Sequence, residues 1–286
     1  MDRSTQADNH PAFPDPEVGV QDERRVLLAY GDDKASAVLL GAALISPTQG
    51  GWTSVHAVVD PAHRDGAMRA QLLKAALEAT QPWPVRLWAM RATDQDDADA
   101  ASLGFTLERD LLQMRAPLPL PPKVTASARP VITRPFVPGQ DDDEWLRINN
   151  LAFAGHPEQG GWTPDQLAAR LRADWVDLNG FLMGEAPDGS GLVGSCWTKI
   201  HRHSSPPLGE IYVIAVDPAR HGQGWGRALT VAGLQWLADQ GITTGMLYTT
   251  ASNTAAVELY RSLGFEVEHT DRSYVPVPAP MPLPTP

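Results

Sequence analysis

The chain has 286 residues, a formal net charge of −11 and a single cysteine. The acidic balance argues against nucleic acid or an anionic membrane as the main partner. The lone Cys196 excludes an intramolecular disulfide framework and suits a reducing cytoplasm; it sits in an apolar strand and reads as a packed thiol rather than a nucleophile.

The first residues, 1–20, and the proline-rich tail, 276–286, read as disordered, and no signal peptide is legible at the acidic N-terminus. Val26 to Tyr30 and Val38 to Gly41 flank a turn at Gly31-Asp32-Asp33 and predict a hairpin. The apolar run around Ala35 to Ile45 is interrupted and too short to span a bilayer. A strand ends at Val59-Asp60-Pro61-Ala62, a second carries Leu87-Trp88-Ala89, and Ser102-Leu103-Gly104-Phe105 closes a helix. Ala116-Pro117-Leu118-Pro119-Leu120-Pro121-Pro122-Lys123 then reads as a stiff, extended linker. Beyond it the same landmarks return at a nearly constant separation. Phe181-Leu182-Met183 and Leu192 to Trp197 flank Asp188-Gly189-Ser190-Gly191, Val216-Asp217-Pro218-Ala219 ends a strand, Leu247-Tyr248-Thr249 forms another, and Ser262-Leu263-Gly264-Phe265 closes a helix. The expected fold is α/β with mixed sheets, in two tandem domains at 21–116 and 131–275 joined by 117–130.

Within the second copy, Glu210 to Arg227 is the richest stretch. The strand Ile211 to Val216 passes through His221-Gly222-Gln223-Gly224-Trp225-Gly226-Arg227 into a helix, and glycines there let backbone N–H groups converge on a pyrophosphate. The spacing matches neither the phosphate loop ending in Gly-Lys-Ser/Thr nor a Gly-x-Gly-x-x-Gly turn. Arg220, His221 and Arg227 supply local positive charge. Asn253 reads as the N-cap of a helix from Thr254 to Leu263, and Gly264 as its left-handed C-cap. His201 and His203 flank a proline-containing loop and read as solvent-facing, and no Cys/His cluster has metal-ligand spacing.

The glycine loop, together with N-x-A-A-x-x-x-Y-x-x-x-G-F at Asn253 to Phe265, resembles the acetyl-coenzyme A signature of the GCN5-related N-acetyltransferases. The resemblance implies that Ile214, Ala215 and Val216 meet the pantetheine, that His221, Gly222, Gln223, Gly224, Trp225, Gly226 and Arg227 form the pyrophosphate loop, and that Asn253, Thr254, Ala255, Ala256, Val257 and Glu258 flank the cofactor. The first copy is degenerate: Thr53, Thr93 and Ala100 stand where Glu210, Asn253 and Tyr260 would, and its loop from Ala62 to Met68 keeps one glycine and adds Asp65. For its strand Ala57-Val58-Val59, a second cofactor site and a plain packing role both stay open.

Asn149-Asn150-Leu151-Ala152-Phe153-Ala154-Gly155-His156-Pro157-Glu158-Gln159-Gly160-Gly161-Trp162-Thr163 is similar to the mycothiol synthase family of tandem acetyltransferases, as are Trp197-Thr198-Lys199 and Leu208 to Val213. That resemblance implies acetyl transfer from acetyl-coenzyme A to the cysteinyl amine of cysteinyl-glucosaminyl-inositol, a small pseudo-disaccharide, by a monomer without a metal. Glu158, Lys199, Glu210 and Tyr248 match its substrate positions. An amine must lose a proton to attack a thioester, so Glu210 is the expected general base, and Tyr260 matches the general acid for the leaving thiolate. A backbone N–H near Ile214 is the expected oxyanion donor. The open alternatives are an acetyltransferase for another amine, such as an aminoglycoside or a protein N-terminus, and a non-catalytic acyl-coenzyme A sensor.

Overall fold

The computed structural model describes residues 25–30, 38–48, 51–63, 67–80, 84–154 and 159–277. Both segments expected to be disordered lie outside these residues apart from Pro276 and Val277, as do the turn at 31–33, Asp65, Gly66 and Glu158. Among the described residues no helix is long and apolar enough to cross a membrane. The chain divides into two units, one of residues 1–111 and 270–286 and one of residues 112–269.

In the first unit, β1 (Arg25–Tyr30), β2 (Leu39–Pro47) and β3 (Thr53–Val59) form antiparallel pairs, and β4 (Val85–Ala89) runs parallel to β3. Helix α1 (Met68–Thr80) follows β3 and buries Leu72, Leu73, Ala76 and Thr80, the three-to-four spacing of a helix face turned onto a sheet. Helix α2 (Asp94–Ser102) begins where the Thr93 N–H donates to Asp96 Oδ2 at 2.6 Å. Ile45, Val55, Leu87 and Phe105 centre its core.

Two long strands cross the division between the units. Strand β5 (Phe105–Pro117) begins in the first unit and ends in the second, and β11 (Glu266–Pro276) runs the other way. Arg272, Ser273 and Tyr274 of β11 pair antiparallel with Ala89, Trp88 and Leu87. The boundary therefore falls inside strands and not at the proline segment, and residues 270–275 belong with the first unit. The segment after Pro117 also departs from a free extended spacer: Leu118 and Leu120 alternate with prolines and turn into the second unit's core, the Leu118 N–H donates to Thr243 O, and Pro122–Ala126 forms α3. Alternation let two leucines share one buried side, which outweighed the solvated linker that proline content suggests.

The second unit repeats the plan of the first. Its strands lie in the order β5-β10-β9-β8-β7-β6, with β6 (Ile132–Pro135), β7 (Phe181–Glu185), β8 (Leu192–His201), β9 (Leu208–Val216) and β10 (Thr244–Thr250). Pairs β6–β7, β7–β8 and β8–β9 are antiparallel, and β9–β10 is parallel. Helices α6 (Trp225–Asp239) and α7 (Thr254–Ser262) pack into one core with Cys196, Ile211, Leu229, Leu234 and Leu247. Helices α4 (Asp142–Ala152) and α5 (Pro164–Leu171) belong to the aromatic cluster of Phe136, Trp145, Phe181 and Trp197. Phe181 stacks on Trp197 at 4.2 Å, and Trp145 meets both rings edge-on. Trp197 is fully buried, so Trp197→Ala is expected to lower stability by about 3–5 kcal/mol. A urea-unfolding midpoint that hardly moves would contradict this role.

Candidate active site

Strand β9 carries a bulge. On β8, Trp197 lies opposite Val213 and Thr198 opposite Ile211, so Tyr212 has no opposing residue. Tyr212 and Val213 consequently pack in the same aromatic cluster, while Ile211 and Ile214 pack against α6 and α7. On its other edge, β9 pairs with β10 only from Gly209–Gly245 to Ile211–Leu247, although the strands run on to Val216 and Thr250. The two strands part company at the bulge. Backbone groups of Ile214, Ala215 and Val216 lie on the stretch beyond the ladder, the place a linear amide-bearing cofactor arm could join the sheet.

Glu210 stands just before this opening. It is 8% exposed, opposite Lys199 on β8 and Met246 on β10. Its Oε2 lies 2.7 Å from His201 Nε2. His201 thus does more than face solvent, and its position two residues after Lys199 puts it on the same face of β8. Burial pulls the Lys199 ammonium below its ordinary pKa, against the opposing pull of Glu210. The Lys199 Nζ lies 4.8 Å from the Trp175 ring centroid and 5.8 Å from that of Tyr212. Tyr248, on β10, accepts a 2.6 Å hydrogen bond from Gln113 Nε2 of β5, and Arg115 Nε in turn donates to Gln113 Oε1.

The glycine loop follows β9. Asp217 accepts from Arg147 at 2.6 Å and from the Ala219 N–H at 2.9 Å, and the Arg147 guanidinium holds its carboxyl below the usual range. Gly222 and Gly224 have φ of +74° and +83°, a backbone that side chains strain to adopt. The Ala228 N–H bonds back to Gly224 O, and the amides ahead of it point out of the helix end. His221 donates to Val216 O at 3.1 Å, while Gln223 and Gly224 are exposed and Gly226 is half-buried.

The basic side chains expected to line the loop are engaged in the fold. Arg227 donates to Ser262 and Ser127, and Arg220 donates to Ser190. Trp225 is buried in a core of Ala186, Val193 and Ala228, and its indole N–H donates to Gln223 Oε1 of the loop at 3.3 Å. Arg129, unremarked in the sequence, donates to Gln223 O at 2.6 Å and lays its guanidinium 3.4 Å from the Trp225 ring centroid.

Asn253 caps α7 through its side chain, which accepts from the Ala256 N–H at 3.2 Å, and Gly264 has φ +94°. Val257 faces the core, Ala256 is half-buried, and Thr254, Ala255 and Glu258 are exposed. Tyr260 is buried beside Phe265 and Cys196; burial first, then the neighbouring thiol, pushes its pKa up to about 12. Burial alone pushes Cys196 up to about 12, which suits an inert core thiol.

The first unit lacks the bulge. Its β2–β3 register runs unbroken from Gly41–Val59 to Pro47–Thr53, while β3 pairs with β4 only from Thr53–Val85 to His56–Trp88, so Ala57, Val58 and Val59 lie beyond the parallel ladder without a bulge. Thr53 and Ala100 are buried where the second unit has Glu210 and Tyr260. Among the described residues no His, Cys, Asp and Glu group is arranged to hold a metal ion.

A model of the acetyltransferase (GNAT) family matches residues 145–265, which span this site. A mycothiol acetyltransferase of Salinispora arenicola is 45% identical over 235 residues, covering 81% of this chain and 76% of its own. Another, from Mycolicibacterium gilvum, is 40% identical over 263 residues, covering 90% and 85%. The chain belongs to the mycothiol acetyltransferase family. It is an N-acetyltransferase, and the resemblance first read from the glycine loop and the Asn253 helix extends over most of its length. Among solved structures, a GCN5-related N-acetyltransferase from Sphaerobacter thermophilus is similar at a TM-score of 0.73 and 21% identity, covering 95% of this chain and 88% of that one. A tandem GNAT protein from the clavulanic acid biosynthesis pathway matches at 0.59 and 13%, covering 86% and 82%. Both show the shared fold.

Proposed function

We propose that this N-acetyltransferase moves the acetyl group of acetyl-coenzyme A onto the cysteinyl amine of cysteinyl-glucosaminyl-inositol, the acetylation that yields mycothiol. The supporting observation is the bulge at Tyr212: it parts β9 from β10 directly after a buried carboxylate and directly before a left-handed glycine loop. Acetyl-coenzyme A is a co-substrate whose shape fits that arrangement. Its pantetheine would lie along Ile214 to Val216, and its pyrophosphate would meet the amides at the start of α6.

Glu210 would accept the ammonium proton, directly or through a water, leaving a neutral amine to attack the thioester carbonyl. The negative charge growing on the thioester oxygen would be met by a strand amide near Ile214. Tyr260 would protonate the departing thiolate. Lys199 and Tyr248, on the two strands flanking β9, would contact the sugar or inositol, and Glu158 is assigned there by its sequence match. Ala57 to Val59 remain a proposed second cofactor contact.

Mass-spectrometric analysis of products from acetyl-coenzyme A and a panel of amines tests the reading. Acetylated cysteinyl-glucosaminyl-inositol is expected, and its absence alongside acetylation of an aminoglycoside or a peptide N-terminus would transfer the proposal to that substrate. Absence of any acetylated product would favour a sensor.

The loop has its own test. Gly224→Val forces a branched side chain into left-handed backbone, at a cost of about 1–2 kcal/mol, and crowds the pyrophosphate approach. The acetyl-coenzyme A KM is expected to rise at least about tenfold, with the acceptor KM much less affected. Unchanged donor kinetics would remove the loop from the donor site.

A further inference from the structure

Arg170, on α5, is 6% exposed, and among the described residues its guanidinium lies against rings. Its guanidinium carbon lies 5.8 Å from the Trp162 ring centroid and 5.6 Å from that of Tyr212. Its Nε is enclosed and makes no hydrogen bond among the described residues. A cation buried without hydrogen-bond acceptors is costly, and ring faces offset only part of that cost. Rings also hold a guanidinium by its plane, leaving the donors along its edge for another molecule.

The position makes this donor useful. Tyr212 is the bulge residue two places after Glu210, and its ring also lies near the Lys199 ammonium. Lys199 in turn sits across the strand pair from Glu210. Two buried cations therefore share one ring beside the proposed base, and the Glu210 carboxylate is already bonded to His201. A substrate bearing oxygen atoms would supply acceptors to Arg170, whereas one bearing additional ammonium groups would be repelled by the two cations.

We infer that Arg170 is a specificity-determining residue of the acceptor site, binding hydroxyl, amide-carbonyl or carboxylate oxygens of the acceptor amine and disfavouring polycationic amines. This deepens the acetyl-transfer reading and rests on it. The hydroxyls and amide carbonyl of a cysteinyl pseudo-disaccharide suit such a site, and a polyamine or an aminoglycoside does not.

Arg170→Met keeps the apolar stem and removes the fork; Arg170→Lys keeps charge without the planar fork. Steady-state kinetics would compare cysteinyl-glucosaminyl-inositol, γ-glutamylcysteine as a carboxylate-bearing amine, cysteamine as an amine without oxygen, and spermidine. Arg170→Met is expected to lower kcat/KM for the oxygen-bearing acceptors used by the wild type about 10- to 100-fold. The loss should appear in acceptor KM, with cysteamine changed less than about threefold and any spermidine turnover raised. Losses confined to the pseudo-disaccharide mark hydroxyl recognition, and losses shared with γ-glutamylcysteine mark carboxylate or amide-carbonyl recognition. Arg170→Lys is expected to lose less, and it supplies the same comparison should the methionine variant fail to fold. Equal loss on cysteamine and the oxygen-bearing acceptors, or no loss on the latter, overturns the inference. Wild-type enzyme that ignores the pseudo-disaccharide but uses γ-glutamylcysteine removes the substrate reading, and Arg170 is then judged on γ-glutamylcysteine. Wild-type enzyme that uses only cysteamine or spermidine overturns the Arg170 inference itself.

Discussion

Glutamine in place of Glu210 is expected to lower kcat/KM by about 10²–10⁴-fold at neutral pH, because it keeps the size of the side chain and removes its capacity to take a proton. The amide oxygen can still accept from His201, so the surroundings of the side chain are retained and the loss reports chemistry more than packing. An α-amino group has a pKa of about 7.7–8.0, so a rising share of acceptor is neutral as pH climbs beyond that range. The defect should shrink in the same interval. Parallel pH profiles of kcat/KM for both enzymes are the measurement; near-normal turnover at pH 7, or a defect constant across the profile, would take the base role away from Glu210.

Phenylalanine at Tyr260 is expected to lower kcat by at least about 10²-fold with little change in acetyl-coenzyme A KM, since only a hydroxyl leaves an otherwise packed ring. With its pKa pushed up to about 12, the native side chain holds its proton at every working pH. No descending alkaline limb from this residue should therefore appear in kcat below about pH 10. The stability consequence has a definite sign. An unfolded tyrosine ionises near pH 10 and the folded one near 12, so stability present below pH 10 is lost as pH rises through that window. The phenylalanine variant should lack this component of the alkaline loss. Full activity in Tyr260→Phe would return the residue to a packing role.

Much of this architecture was legible locally. The hairpins, the strand before the glycine loop, the Asn253 cap and the Gly264 terminus each depend on residues adjacent in sequence, where turn chemistry and side-chain alternation act directly. The bulge was not legible, because Tyr212 is an ordinary strand residue and its missing partner is decided by β8. His201 read as solvent-facing for the same reason: its bond to Glu210 depends on the register of two strands. Gln113 and Arg129 reach Tyr248 and Gln223 from well over eighty residues away, and no local pattern marks them. Proline content suggested a boundary that burial of Leu118 and Leu120 overrode. Arg220 and Arg227, read as local positive charge, also donate to serines distant in the chain, which no local pattern signals.

The path of the chain through its two units sets an order of synthesis. Strand β4 of the first unit pairs with Arg272, Ser273 and Tyr274, which leave the ribosome only after the whole second unit has been made. Until then the Leu87–Ala89 edge is an unpaired template of backbone donors and acceptors. A gene cut at the proline segment would make that temporary exposure permanent in the N-terminal product. It would also deprive the C-terminal product of residues 112–116, including the buried Gln113 and Met114. Nascent first-unit chains are expected to be prone to pairing through this edge, and co-expressing the two halves amounts to a complementation experiment between fragments that each lack a strand.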